Sequence, residues 1–214
     1  MDRGETSEPS NDGETIKYEY QFALQMRRII ASEFVSADGF MVGPKEDMSW
    51  VMNNFNEEMG KYAGGLMESM DTVLLGRVTY EIMSRAWPNM TEETSPGADR
   101  MNSAAKVVVS KTLREAPWGK YAPARIIGGN VERQIIELKQ SLGKNVVIYG
   151  SANLVQNLTE MSMIDEYQLL VHPILLGDGK PLFGRMQQPV NLKLLRTQTF
   201  GNGVNVLYYE PKSK

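Results

Sequence analysis

Asn145-Val146-Val147-Ile148-Tyr149-Gly150-Ser151-Ala152-Asn153-Leu154-Val155-Gln156-Asn157-Leu158 is the stretch that decides the fold. Val146, Val147 and Ile148 make a short unbroken run of β-formers, as a strand buried on both faces requires. Beyond Gly150 the spacing of Leu154, Val155 and Leu158 is helical, and Ser151 stands where an N-cap hydroxyl belongs. The reading is strand, glycine turn, helix. Glycine at such a junction lets another molecule approach the backbone, and the first amides of the helix point outward unpaired, with partial positive charge. A phosphate suits that place. An ordinary connection between strand and helix is the other reading of the turn taken alone.

The same grammar occurs twice more. Asp71 leads Thr72-Val73-Leu74-Leu75-Gly76, and Arg77-Val78-Thr79 then opens a helix through Glu81, Ile82 and Met83. Lys106-Val107-Val108-Val109 is a third run of the buried type, ending in Ser110-Lys111-Thr112. Strands alternating with helices predict an α/β chain with a mostly parallel sheet. The last third changes character: Glu166 to Leu176 is β-rich and broken by Pro173, and Val190 to Phe200 and Val204 to Tyr209 flank Gly201-Asn202-Gly203, a hairpin signal. The expected architecture is a three-layer αβα sandwich whose central sheet gains an antiparallel C-terminal edge hairpin.

Between these landmarks, Arg28 to Phe34 reads as a first core strand that turns sharply at Ser36-Ala37-Asp38-Gly39-Phe40. Met48, Val51, Met52, Phe55 and Met59 predict one helix over Glu46 to Tyr62, interrupted by Gly64-Gly65. Leu113 to Ala124, with two prolines and Gly119, is expected at the surface. Arg125-Ile126-Ile127 is brief and ends at Gly128-Gly129, and a helix over Val131 to Leu142 should close on Gly143 as a C′ glycine.

Composition narrows the function. The chain has 214 residues, 42% hydrophobic and 23% charged, which suits one domain with a full-sized core. Its net charge of -3 is concentrated in residues 1 to 25, where Asp2, Glu5, Glu8, Asp12, Glu14 and Glu19 face only Arg3 and Lys17. The remainder is close to neutral, so there is no basic field for nucleic acid or a membrane surface. Without cysteine, and with His172 alone, thiol chemistry and a cysteine or histidine-rich metal site are excluded. No stretch has the length of a membrane span or the apolar core of a secretory signal, and a cytoplasmic location is expected by default. Residues 1 to 25 read as an acidic arm, mobile over 1 to 15. Over 16 to 22 Ile16, Tyr18, Tyr20 and Phe22 alternate as in an edge strand. Residues 26 to 214 form the domain.

In an open parallel sheet ligands gather at the carboxyl ends of the strands. Three strands here end in residues suited to phosphate: Gly76-Arg77-Val78-Thr79, Ser110-Lys111-Thr112 and Gly150-Ser151-Ala152-Asn153-Leu154. Two helix N-termini, two cations and several hydroxyls on one rim can hold a diphosphate and a further phosphate, each helix end adding ~0.3–1 kcal/mol.

The chain from Met26 onward resembles the dihydrofolate reductase-like superfamily, closest to the family of the reductase domain of the bifunctional riboflavin-biosynthesis deaminase/reductase. The matching pieces are Ser36-Ala37-Asp38-Gly39-Phe40, Leu75-Gly76-Arg77-Val78-Thr79-Tyr80, Val109-Ser110-Lys111, Val147-Ile148-Tyr149-Gly150-Ser151 and His172-Pro173-Ile174-Leu175-Leu176-Gly177-Asp178-Gly179, in the family's order. The resemblance implies an NADPH-dependent reductase acting on a C=N or C=O bond of a small heterocycle, riboflavin-pathway-like or pteridine-like, and a homodimer. Arg77 and Thr79 would hold phosphates, Ser110 and Lys111 with Thr112 the adenosine 2′-phosphate, and Gly150, Ser151, Ala152, Asn153 and Leu154 the diphosphate. The turn from Asp38 to Met41 would lie beside the nicotinamide.

A hydride acceptor also needs a proton source. Met48-Ser49-Trp50 resembles the Met-Pro-Trp loop of true dihydrofolate reductases, but the place of their folate-binding carboxylate holds Phe55. Asp38, Glu57 and Glu58 are the proton-donor candidates, with Asp47 nearby and water as the alternative. His172, before a proline within an apolar strand, reads as structural. The methionines from Met48 to Met70 read as core or pocket lining, and Trp50 and Trp87 as core or as stacking surfaces. An NADP(H)-binding module without turnover is the rival reading.

Overall fold

The computed structural model describes residues 26–184 and 186–212. The acidic arm and its expected edge strand lie outside the described residues. Ten strands are described: β1 (Ile29–Ser36), β2 (Phe40–Val42), β3 (Met70–Gly76), β4 (Ala105–Val109), β5 (Arg125–Ile127), β6 (Asn145–Tyr149), β7 (Glu166–His172), β8 (Lys180–Pro181), β9 (Leu192–Thr199) and β10 (Asn205–Pro211). The helices are α1 (Ser49–Met52), α2 (Glu57–Ser69), α3 (Arg77–Ala86), α4 (Ala98–Ser103), α5 (Val131–Gln140) and α6 (Ala152–Glu160).

Eight strands form one sheet in the order β5-β4-β3-β6-β1-β7-β10-β9. Every pair from β5 to β7 is parallel, and β10 and β9 add antiparallel at the β7 edge. Apolar side chains on both faces of the central strands explain why helices cover both. On β6, Val146 and Ile148 join Ile29, Ala31 and Leu74 under α5 (Ile135, Leu138) and α6 (Leu154, Val155, Leu158). Val147 points the other way, with Ile30, Val73 and Leu75, under α2 (Leu66, Met67), α3 (Tyr80) and α4 (Met101). A third cluster fastens Met59 of α2 to Leu170, Phe200, Val206 and Tyr208. The αβα sandwich with its C-terminal hairpin is thus the observed architecture.

Several local expectations change. The single helix over Glu46 to Tyr62 is two helices, because Asn56 interrupts it and caps α2, its side chain accepting from the Met59 amide at 3.0 Å. Gly64 and Gly65 do not interrupt α2. They lie on its solvent side, where the cost of each, ~0.5–1 kcal/mol, is outweighed by burial of Met59, Leu66 and Met67. Helix α5 ends at Gln140, before the expected Gly143, whose positive φ instead seats the chain against Arg27 and Asp71. The segment Leu113 to Ala124 is no plain surface loop: Trp118 is fully buried and donates from Nε1 to Asn102 at 2.8 Å. Met48 and Met52 are exposed, while Met59, Met67 and Met70 are core.

At the amino end of the parallel strands, buried Arg27 ties its own segment to the start of β3 and to the α5–β6 loop. It donates to the Lys144 carbonyl and to Thr72 Oγ1, each at 2.6 Å, to Ser141 at 3.2 Å, and pairs with Asp71. The carboxyl ends of β1, β3, β4, β5, β6 and β7 consequently share the opposite edge.

His172, at the carboxyl end of β7, is 1% exposed, with neither ring nitrogen hydrogen-bonded among the described residues. It packs edge-on to Trp50 (centroids 5.0 Å apart) and Phe34 (5.7 Å). Burial pushes its pKa down to about 4. The unfolded chain therefore takes up a proton near pH 6.5 that the folded chain refuses, so this ring's contribution is intact above pH 6.5 and is lost as pH falls towards 4. Urea unfolding of the wild type and of His172→Leu should show a stability difference that changes by up to about 1.4 kcal/mol per pH unit across that window; a constant difference would mean that the ring does not titrate with folding.

Candidate functional site

The two strand–glycine–helix turns meet. β3 and β6 are parallel neighbours, so Gly76 and Gly150 emerge side by side. A Cβ at Gly76 would collide with the Ser151 side chain and touch Leu154 Cβ at 3.8 Å. A Cβ at Gly150 would lie 3.3 Å from Thr79. Five of the expected residues, Gly76, Thr79, Gly150, Ser151 and Leu154, are in this way brought into one interlocked pair of turns. Gly150 has φ +69°, and Ser151 follows at +77°, a left-handed conformation that costs a non-glycine residue ~1 kcal/mol or more.

Ser151 occupies the N-cap of α6, but its side chain makes no cap bond, because the left-handed backbone turns it towards Gly76. Helix α3 starts on Gly76, which has no side chain to cap with. By contrast α2 and α5 begin on Asn56 and Asn130, whose side chains accept from the Met59 and Arg133 amides. Both helices that open on the rim lack a side-chain cap, so their first amides and positive dipole ends are available to an anion; the short helices α1 and α4 also lack an N-cap side chain, but Asp47 and Glu92 accept from amides at their starts. Ala152 is buried behind the turn and Asn153 is exposed beside it.

One strand further out, β4 ends level with Gly76. Ser110 is buried, and its hydroxyl accepts from the Thr112 and Leu113 amides at 3.2 and 3.1 Å, so it shapes the turn. Lys111 and Thr112 are exposed on that turn, and among the described residues no carboxylate pairs with Lys111. Arg77 reaches along its own helix to both oxygens of Glu81, at 2.7 and 3.0 Å. That exposed i,i+4 pair is worth only ~0.3–0.5 kcal/mol, so an arriving phosphate can displace it.

The expected proton donors are placed differently. Asp38 accepts from Ser36 Oγ at 2.6 Å and from the Gly177 and Leu176 amides at 2.8 and 3.1 Å. Those bonds, Ser36's foremost, hold its pKa below the usual aspartate value, so the carboxylate stays ionised and latches the β1 turn to the glycine loop after β7. Glu57 pairs with Lys61 on the surface of α2. Glu58 accepts from the Gly201 amide at 2.6 Å, joining α2 to the β9–β10 turn.

The carboxyl nearest the interlocked turns is one that strand reading passed over. Glu33 of β1 is 1% exposed; one oxygen accepts from the Gly150 amide at 2.9 Å and the other has no partner among the described residues. Burial drives its pKa well above the usual glutamate value. The Tyr149 hydroxyl is likewise buried without a partner among the described residues. On the other face of β1, Ser32 Oγ lies 2.9 Å from Tyr62 Oη, which donates to Gln168 Oε1 at 2.6 Å, and Gln168 donates to Glu166 at 2.6 Å. The sequence carried one signal for Glu33: it stands on the inward face with Ile29, Ala31 and Val35, where an apolar residue belongs. The Tyr62–Gln168 pairing, 106 residues apart, left no local signal.

Among the described residues no group of three His, Cys, Asp or Glu side chains could hold a metal ion, and no helix is long and apolar enough to cross a membrane.

Comparison with known proteins agrees with this fold. The chain is 32% identical over 188 residues to the uncharacterized protein YyaP of Bacillus subtilis (strain 168), covering 87% of this chain and 96% of that one. Among solved structures it is similar to a putative riboflavin biosynthesis protein from Shewanella sp. PV-4 (TM-score 0.70, 23% identity, 87% and 99% of the two chains). It also superposes on dihydrofolate reductase from Enterococcus faecalis, complexed with NADP(H) (TM-score 0.57, 12% identity, 87% and 97%). A third neighbour is the diaminohydroxyphosphoribosylaminopyrimidine deaminase/5-amino-6-(5-phosphoribosylamino)uracil reductase of Thermotoga maritima (TM-score 0.64, 14% identity), of which this chain spans 62%. At these identities the solved structures speak to the fold alone. The sequence model for the RibD C-terminal domain matches residues 27–206, the whole strand–turn–helix core described above, and the chain belongs to that family.

Proposed function

We propose that the protein is an NADPH-dependent reductase that transfers hydride to a C=N or C=O bond of a small heterocyclic metabolite, riboflavin-pathway-like or pteridine-like. The observation that carries this reading is the interlock of two uncapped helix N-termini at the carboxyl ends of central parallel strands. The residues present fit the cofactor: a left-handed glycine where the backbone must be approached, free amides on both turns and a lysine one strand away. Membership of the RibD C-terminal domain family supports the same chemistry.

In this reading the amides opening α3 and α6 hold the diphosphate, with Gly76, Thr79, Gly150, Ser151, Ala152, Asn153 and Leu154 forming the cradle. Lys111, beside Ser110 and Thr112, faces the 2′-phosphate, and Arg77 exchanges Glu81 for a phosphate oxygen. When bound, the nicotinamide supplies the hydride. The latch from Asp38 to Leu176 and Gly177 keeps the β1 turn in place beside it. Because Asp38 is held ionised, and Glu57 and Glu58 are engaged on α2, water is the proton source that the geometry favours. A homodimer belongs to the same reading, supported by β9, an edge strand exposed along both faces with Leu194 and Leu195 uncovered; a monomer mass in light scattering would remove that part.

The second reading, an NADP(H)-binding module without turnover, draws support from the same engaged carboxylates. Stopped-flow oxidation of NADPH against ribosylaminopyrimidines, pteridines and flavins separates the two. Turnover with one class is expected, and tight NADPH binding with no oxidation across the whole panel would favour the module. Lys111→Ala should weaken NADPH about tenfold or more, as loss of one charge-assisted contact does, and NADH less than about twofold. Equal weakening of both would reject Lys111 as the 2′-phosphate contact.

A further inference from the structure

Glu33 is a carboxyl in the wrong chemical surroundings. The face of β1 that it shares with Ile29, Ala31 and Val35 is packed by Met41, Ala152, Leu154 and Leu182. An apolar side chain would complete that face, whereas a buried polar oxygen without a partner costs ~1–3 kcal/mol. Its one bond goes to the amide of Gly150, at the centre of the interlocked turns and next to strained Ser151. Glu33 is thus the side chain that fixes where the β6–α6 turn sits, and it stands directly behind the position to which an anion is drawn.

Resting on the reading of this turn as a diphosphate site, we propose that Glu33 is its positioning residue and that docking of the cofactor's diphosphate is coupled to uptake of a proton by the Glu33 carboxyl. As a carboxylate, Glu33 places a negative charge behind the turn and competes for the Gly150 N–H. As a neutral acid it still holds the turn through its carbonyl oxygen but no longer repels a dianion. Like charges brought close disfavour the ionised form, so the anion raises the carboxyl's affinity for its proton beyond what burial has already done. The proton comes from solvent and goes to the carboxyl; no other bond changes.

The surroundings leave few other groups to answer for such coupling. From β6 the titratable neighbour is Tyr149, whose hydroxyl is buried and held protonated by desolvation, and further by Glu33 itself. From β7 the register partner is Leu169. From α6 and β2 come Ala152, Leu154 and Met41, and from α3 Thr79 lies against Gly150, none of which titrates. Arg77 of the same rim is engaged by Glu81. Among the described residues no cation bonds to Glu33.

By linkage, binding that takes up a proton weakens as pH rises through the window between the free and bound carboxyl. Isothermal titration calorimetry of the full chain with NADPH, from pH 7 to 9.5 in buffers of different ionisation enthalpy, reads the proton count directly. Starting at pH 7 keeps clear of the second ionisation of the 2′-phosphate near pH ~6. The expected result is uptake approaching one proton and a Kd rising up to about tenfold per pH unit within that window. NADH, which lacks the 2′-phosphate, should show the same uptake, and Glu33→Gln should show none, with a Kd constant within about twofold. A purely structural role would lower the melting temperature of Glu33→Gln and leave the proton count unchanged. Should that variant not fold, the infrared difference spectrum of the wild type on adding NADPH decides, by the gain of a protonated-carboxyl band. NADPH binding without proton uptake, or uptake that persists in Glu33→Gln, overturns the coupling and leaves the cofactor site standing. No binding of NADPH at any pH overturns both.

Discussion

The close approach of Gly76 to Ser151 is the constraint on which the rest of the rim depends. Two parallel strands lie about 5 Å apart, and each must hand over to a helix within a residue or two. Side chains at both junctions would hold those helices apart. With no Cβ at Gly76, and with Ser151 turned into the left-handed region, the two helices start against one another and their dipoles converge. The strain at Ser151 is tolerated because the helix that follows is anchored in the core: Ala152, Leu154 and Val155 hold α6 beneath the sheet.

That arrangement also explains how the molecule divides its polar interactions between its two ends. At the amino edge of the parallel strands, Arg27 saturates itself on carbonyls, hydroxyls and Asp71, and Lys139 and Ile29 share Asp165. At the carboxyl edge the helix N-termini are left open, Lys111 is unpaired among the described residues, and one oxygen of Glu33 has no partner. Buried polar groups in folded proteins are normally satisfied, so the unpartnered Glu33 oxygen beside these open helix ends is the observation on which the proposed binding role rests. His172 is the instructive contrast, since its lone nitrogens face Phe34 and Trp50 rather than a turn, and its chemistry is a matter of stability.

Legibility followed the range of the interaction. The parallel strands, the helices that follow Gly76 and Gly150, and the C-terminal hairpin were readable because β-runs, helical spacing and turn residues are properties of neighbouring positions. So were the positions of Gly76, Ser110 and Gly150 at the carboxyl ends of β3, β4 and β6. The break between α1 and α2 was written locally in Asn56, but the run of apolar residues on either side masked it. Burial of Trp118 within a proline-containing segment was not readable, because its partner Asn102 belongs to α4, 16 residues away. Asp38 shows the same limit: its bonds to the Leu176 and Gly177 amides, 138 and 139 residues away, have no local signal.

By itself, then, the amino-acid sequence determined the class of fold, the strand ends that carry phosphate-suited groups, and the exclusion of thiol and histidine-rich metal chemistry. All of these follow from residue type and local spacing. Only the tertiary structure decided that the two turns interlock, that their helices are left uncapped, and that a carboxyl from β1 stands behind Gly150. Those facts rest on packing between segments separated by scores of residues, where a glycine is chosen for what approaches it and an acid for the backbone it holds, and neither choice has a period or a neighbouring signal from which to be read.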